Sequence, residues 1–319
     1  MSRNKHSHFA RILSPKGVYP SLSVEFEDAI YVKDDELTYS VCQLRKHTRG
    51  GDGDESYSEV EWLNPSEARL YASLMLAVDR DENYLGFYPY PTTESFNLSQ
   101  NDFTASTLSK TVKPLLLKVI AAPDVLHPGY SAPAKNFYRA CDDIPPPKSM
   151  GGPKYDFRES GVDYKLAKSL YDNIDIEDSL IIRGVTTLIK AEMLHFHYQF
   201  LEAAIYSLFI SMEVSFRLVV RALKAKGISE PTSKDAMKYI HDAFYDIHRV
   251  ERYFEDYYDG RVMTFHPESR FGIFPHAPLA ADDYFHLYND MLEVYAFLIT
   301  GYVNPKHKEK LTHLTRDAT

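Results

Sequence analysis

Cysteine is nearly absent from this chain of 319 residues. Cys42 and Cys141 are too far apart in sequence to suggest a disulfide framework, and they have no metal-ligand spacing. A reducing compartment follows, so the expected location is cytoplasmic. Long apolar runs are also missing. The longest, AAIYSLFISM at 203–212, stops at Glu213, far short of the ~20 residues of a membrane span. The amino-terminal MSRNKHSHFARIL is basic but lacks the apolar stretch of a secretory signal. No membrane partner is expected. Positive charge is not in excess either, because the formal net charge is -9. That argues against a broad grip on duplex nucleic acid, whose phosphates are bound mainly by cations, but leaves room for a small basic site. The first half has no glycine-rich phosphate loop, nucleophile elbow or paired metal ligands. Its one close histidine pair, His6 and His8, reads as part of a fraying terminus. No metal and no cofactor is expected.

What is present is a globular composition, 44% hydrophobic and 25% charged, in a chain long enough for about two cores. CDDIPPPKSMGGPKYDF (141–157) breaks it, since three prolines favour extended backbone and Gly-Gly-Pro stops regular structure. The expected division is residues 1–144, a linker at 145–158, and residues 159–319. HTRGGDGDES (47–56) reads as a surface excursion. In the first half, SLSVEFEDAIYV and ELTYSVCQL alternate like strands. NPSEARLYASLMLAVD reads as a helix with Asn64 as its cap and Pro65 at its first position, and KTVKPLLLKVIAA as a second, short one.

The second half reads as helical throughout. Ile181, Val185, Leu188 and Ile189 form one stripe. Leu201, Ile205, Phe209, Met212, Phe216, Val219 and Leu223 form a longer one, closed by Gly227. SKDAMKYIHDAFYDIHRVERYFEDYYDG follows, with Ser233 as cap candidate and Gly260 at its end. ADDYFHLYNDMLEVYAFLITG closes the set with Leu287, Met291, Val294 and Leu298 in line, and with Asp282 and Asp283 at the positive end of its dipole. The expected fold is therefore mainly α: a C-terminal antiparallel helical bundle preceded by a mixed α+β domain.

Between the last two of these helices lies DGRVMTFHPESRFG (259–272), with Arg261 five places before His266. Chance placement gives roughly 0.65 such pairs in a chain of this composition, so the spacing gains meaning only from its surroundings. Arg3 and His8 share it without any helical context, and Arg270 to His276 is one residue longer. The order is a long helix with a glutamate in an apolar stripe, another helix, the Arg-x4-His motif and a closing helix. It resembles the HEPN superfamily (higher eukaryotes and prokaryotes nucleotide-binding) over about 175 to 301. The resemblance implies a HEPN-like bundle, with Arg261 and His266 as the motif and Glu213 as the family's acidic residue on its second helix. It further implies a metal-independent endoribonuclease acting on single-stranded or loop RNA, often a homodimer and often a stress or anti-phage effector. A separate regulatory protein partner is compatible with it. Family nucleases often carry asparagine after the arginine; here Val262 stands there.

The chemistry of these residue types agrees. Cleavage by the RNA's own 2′-hydroxyl needs proton transfer near neutral pH, which suits His266. Charge gathers on the phosphate oxygens, which suits the Arg261 fork, with Arg270 as a second contact. His276 is the histidine of the alternative pair. Tyr258, with Tyr257 and Phe265, could stack on an unpaired base. Plainer readings stand beside these. His266 could cap the helix start before Pro267, and Arg261 could pair with Glu255 or Asp259 on a solvated surface. Glu213 is either a buried partner for a motif arginine or the polar edge of its helix. The competing function is a non-catalytic module that binds nucleotide, RNA or a protein, which Val262 and the acidic net charge favour.

Overall fold

Successive side chains of a strand point to opposite faces, and FARIL (9–13) uses both. Phe9 and Leu13 enter one core, Ala10 and Ile12 another. The computed structural model describes residues 5–17, 20, 22–33, 36–44, 63–78, 85–121, 161–195, 200–244, 253–254 and 281–303. In it this stretch belongs to strand β1 (Lys5–Gly17). β1 lies between β4 (Thr38–Gln43) and β5 (Leu85–Ser99), antiparallel to both. β3 (Ala29–Lys33) and β2 (Val24–Glu25) extend the sheet beyond β4, in the order β2-β3-β4-β1-β5. The same alternation runs through the neighbours. Ala29, Tyr31 and Cys42 face the side of Phe9, while Ile30, Val32, Tyr39 and Val41 face the side of Ala10.

Each face has its own helical cover. Helices α2 (Ala105–Thr111) and α3 (Lys113–Ala121) close the smaller core with Leu108, Val112 and Leu116, beside Phe103 just ahead of them. On the other face lies α1 (Pro65–Leu76), which starts as its sequence predicts. The Asn64 side chain accepts from the Ser66 N–H at 2.9 Å, Glu67 accepts from the Asn64 N–H at 3.1 Å, and Pro65 takes the first position.

The remaining helices among the described residues are α4 (Tyr164–Asn173), α5 (Ser179–His195), α6 (Leu201–Ala225), α7 (Ser233–Ala243) and α8 (Ala281–Thr300). Most of the expected stripe residues are buried: Val185, Leu188 and Ile189 on α5; Ile205, Phe209, Met212, Val219 and Leu223 on α6; Leu287, Met291 and Val294 on α8; Ile181, Leu201, Phe216 and Leu298 are partly buried against the same core. Gly227, at φ 92°, follows the last turn of α6 as expected. The cap of α7 is Thr232 rather than Ser233. Its hydroxyl oxygen accepts from the Asp235 N–H at 3.3 Å, while Asp235 accepts from the Thr232 N–H at 2.8 Å. α6 is long and apolar enough to cross a membrane by length and composition, and 61% of its most apolar window is buried within the protein. Its contact with α5 and α8 is close at Gly184. Tyr295 donates to the Ser211 carbonyl at 2.8 Å, Ser211 donates to the Gly184 carbonyl at 2.9 Å, and a Cβ on Gly184 would meet Tyr295 Oη at 2.2 Å.

The fold class expected from the sequence needs correction. The chain is not a mainly α protein with a bundle set apart from a mixed domain; it is α+β, with an antiparallel sheet, five-stranded among the described residues, whose larger core runs unbroken into the C-terminal helices. α1 packs on β3, β4 and β5 and also on α4, α5 and α8, and β5 itself touches α5. Residues on either side of the expected linker therefore share one core, while 145–158 lies outside the described residues. The physical reason is that α5 and α8 bury part of their apolar surface against first-half elements, not only against one another.

Two ion pairs hold α1 to the sheet. Because Arg11 is an odd-numbered β1 residue, it points with Phe9 and Leu13 toward α1. There its guanidinium meets Glu67 in a bidentate pair, 2.5 and 3.1 Å, with side-chain exposures of 9% and 0%. Tyr71 donates to the same carboxylate at 3.2 Å. Burial pushes the Glu67 carboxyl above its ordinary range, against the pull of Arg11, the Asn64 N–H and the Tyr71 hydroxyl. Two residues on, Arg69 reaches both Asp28 oxygens at 2.6 Å and lies over the Tyr171 ring, whose hydroxyl donates to Asp28. Removing one partner of a buried pair leaves an uncompensated charge. Arg11→Met is therefore expected to cost about 3–5 kcal/mol of folding stability. Adding Glu67→Gln should recover part of that loss, as read from urea unfolding of both variants.

Candidate functional site

Of the residues the sequence singles out, Arg261, His266, Arg270, Tyr258 and His276 lie outside the described residues. Glu213 is described. It stands on α6 with its side chain 40% exposed, and its carboxylate pairs with Arg217 one turn later at 3.2 Å. That is the polar edge of the helix, beside the apolar stripe. The next turn holds a second feature. Ser215 Oγ lies 3.1 Å from the Tyr253 hydroxyl, and Phe216 packs edge-on against Phe254 with ring centres 5.3 Å apart. Tyr253 is buried. The chain leading toward Arg261 is thus tied to α6 beside Glu213 and Arg217.

On the far side of the motif, the start of α8 meets α5, and chemistry that the sequence reading missed collects there. Glu192 and His195 are three residues apart on α5, so they lie on one helix face. The Glu192 side chain is buried where β5 comes closest, and Gly86 makes the approach possible: a Cβ there would sit 2.8 Å from Glu192 Cγ. With burial as the one cause, the Glu192 carboxyl is pushed up to about 7. Tyr284, on α8, is fully buried, and its hydroxyl has no hydrogen-bond partner. His195 stacks flat on the Tyr284 ring at 4.1 Å and meets Phe285 edge-on at 4.6 Å. Burial lowers the imidazole to about 4, so it is neutral at physiological pH. A carboxyl pushed up toward neutrality by burial, one turn from a largely buried imidazole, marks a candidate site for proton exchange.

No family model matches this chain. No curated protein and no solved structure matches it either. The site therefore rests on its own geometry. A sequence signal for it exists in KAEMLH, where a glutamate and a histidine stand three apart near the end of an amphipathic helix. The reading of His6 and His8 as a fraying terminus is corrected. Both belong to β1, and His8 is buried with its ring 4.7 Å from Phe103 and its Nδ1 2.8 Å from the His6 carbonyl. Among the described residues no group of three His, Cys, Asp or Glu side chains could hold a metal ion. Cys42 is buried between the two ion pairs of α1, and burial pushes its thiol well up, which leaves it a poor nucleophile at neutral pH.

The depressed His195 value has a consequence for stability. Folding keeps this imidazole neutral, so its contribution is complete above about pH 6.5 and is lost as pH falls through about 4. His195→Phe keeps an aromatic ring on Tyr284 without a titrating group. Between pH 7 and 4.5 the variant should lose less stability than the parent by on the order of 1–2 kcal/mol, measured from urea midpoints at each pH.

Proposed function

We propose that this chain cleaves single-stranded or loop RNA without a metal, with Arg261 and His266 as the reacting pair. The observation that supports this most is the setting of the motif. In sequence it falls between two stretches tied into the core: Tyr253 and Phe254, packed against α6, before it, and Tyr284 of α8, stacked on His195 of α5, after it. Segments carried between rigid elements are where reacting side chains can be aimed. The Arg-x4-His spacing resembles that of HEPN nucleases, and Glu213 and Arg217 add charged groups beside the first anchor. The resemblance now concerns the motif alone, because the helices here share their core with a sheet.

In this reading His266 removes the proton from a ribose 2′-hydroxyl, whose oxygen attacks the adjacent phosphorus. The bond to the 5′-oxygen breaks, and that oxygen takes a proton. The products are a 2′,3′-cyclic phosphate and a 5′-hydroxyl. Arg261 holds the non-bridging oxygens as their charge rises. One histidine serves one proton transfer at a time, so two copies of the chain with their motifs facing would supply base and acid together. A cytoplasmic setting and restraint by a separate protein belong to the same proposal.

Purified protein incubated with RNA in EDTA is expected to leave 2′,3′-cyclic phosphate ends, identified by mass spectrometry. Arg261→Ala and His266→Ala should each lower the rate by about 10²-fold or more, with thermal unfolding nearly unchanged. Fragments with only 5′-phosphate ends, or variants that cleave like the parent, would remove this function. RNA binding without cleavage by the parent would point to the non-catalytic alternative.

A further inference from the structure

Acidic residues are missing from two long stretches of this acidic chain. Residues 179–191, most of α5, hold Arg183 and Lys190 and no Asp or Glu. Residues 214–229, the second half of α6 and its exit, hold Arg217, Arg221, Lys224 and Lys226 and again no Asp or Glu. The two helices lie antiparallel: Ser211 of α6 meets Gly184 of α5, while Arg221 meets Asp178, just ahead of α5, at 2.6 Å. Helical spacing sets Arg183 and Lys190 in one exposed row on α5, and Arg217, Arg221 and Lys224 in another on α6, each ~10 Å long. Lys226 is turned away, over the Tyr239 ring of α7. Two carboxylates border the rows, and each is already held, Glu213 by Arg217 and Asp178 by Arg221. Those arginines keep side-chain exposures of 62% and 51%, so their remaining N–H groups still reach solvent. Arg183, Lys190 and Lys224 have no ion pair among the described residues.

We propose that this two-row face binds the phosphates of single-stranded RNA and leads the strand toward Arg261 and His266. The proposal rests on the RNA reading above and adds a route to the same site. Arginine forks grip phosphate oxygens in pairs and lysines act as point charges, so the grip reads the backbone rather than the bases. Net charge selects a narrow ligand. At -9 the rest of the chain repels a membrane surface or a duplex, which would touch more than this face, whereas one strand can follow two helices. Position selects the site it serves. Phe254, seven residues before Arg261, packs on Phe216, the neighbour of Arg217. Lys190 stands five residues before His195, on which Tyr284 stacks after the motif. Both flanks of the motif are thus fixed to the helices that carry the cations.

Fluorescence anisotropy of the whole chain with a labelled single-stranded 2′-O-methyl RNA of about 12 nucleotides, in EDTA, tests this. The blocked 2′-oxygen prevents cleavage, so binding alone is read. At roughly -0.7 per phosphate contact, log K for the parent should fall with log salt at a slope of about -3. Arg183→Gln/Lys190→Gln/Lys224→Gln removes three charges and breaks no ion pair. Its slope should be shallower by about 2, and its binding at low salt weaker by roughly tenfold or more. Lys110→Gln/Lys118→Gln removes exposed cations from α2 and α3, across the sheet, and should bind like the parent. Equal binding by the triple variant, an equal loss in the α2–α3 variant, parent binding that ignores salt, or a preference for anionic lipid vesicles would each overturn the inference. The nuclease reading fails separately. A parent that binds this strand but leaves unmodified RNA intact upholds the face and removes cleavage, whereas cleavage with unaltered binding by the triple variant removes the face alone.

Discussion

Arg11 and Glu67 meet where neither can be hydrated, and the arrangement of the rest follows from keeping them together. A buried pair breaks even only with good geometry and further hydrogen bonds. Here the pair is bidentate, the carboxylate also accepts from Tyr71, and Glu67 caps its own helix. α1 is thereby fixed across β1. Arg69 adds a second pair of opposite polarity to Asp28, two residues along the same helix. Shifting α1 along the sheet would bring Glu67 toward Asp28 or Arg69 toward Arg11, so the two pairs set a register as well as a contact. Because α1 also packs against α4, α5 and α8, that register passes to the helical layer and to the start of α8.

Much of the helical layer can be read from local sequence. Asn64, Pro65 and Glu67 announce α1, and apolar stripes three and four apart mark α5, α6 and α8, because a helix buries one face whatever its partner is. The sheet was less legible at β1 and β5, which brought the fold class down with them. β1 places His8 and Arg11 among its buried residues, so its polarity mimics a solvated terminus until Phe103 and Glu67 are seen opposite them. β5 carries Pro89 and Pro91, residues that argue against a strand interior, yet among the described residues it stands at the end of the sheet, where a missing N–H is tolerated. Without those strands the C-terminal helices could only be packed on each other. The continuous core comes from the long-range pairing of β1 with β5, which no local pattern encodes.

The same gap hid the Glu192 cluster. A glutamate near the end of an apolar helix is ordinarily the polar side of that helix. Glu192 is buried where Gly86 lets β5 lie against it, and Gly86 belongs to a distant segment. The Arg261 and His266 motif is the opposite case, since it is visible in sequence and owes its proposed role to what flanks it. The cluster and the motif are linked by continuity of the chain, as Tyr284 of α8 stacks on His195 and the segment before α8 carries the proposed pair, Arg261 and His266.

Sheet and helices that share one core should unfold as one cooperative unit. Trp62, the single tryptophan, immediately precedes the buried Leu63 in the first half, whereas most of the helix lies in the second. Equilibrium urea unfolding followed both by tryptophan fluorescence and by far-ultraviolet circular dichroism at 222 nm reads the two halves separately. One core predicts superimposable curves with a common midpoint and slope. Two transitions at different urea concentrations would contradict it.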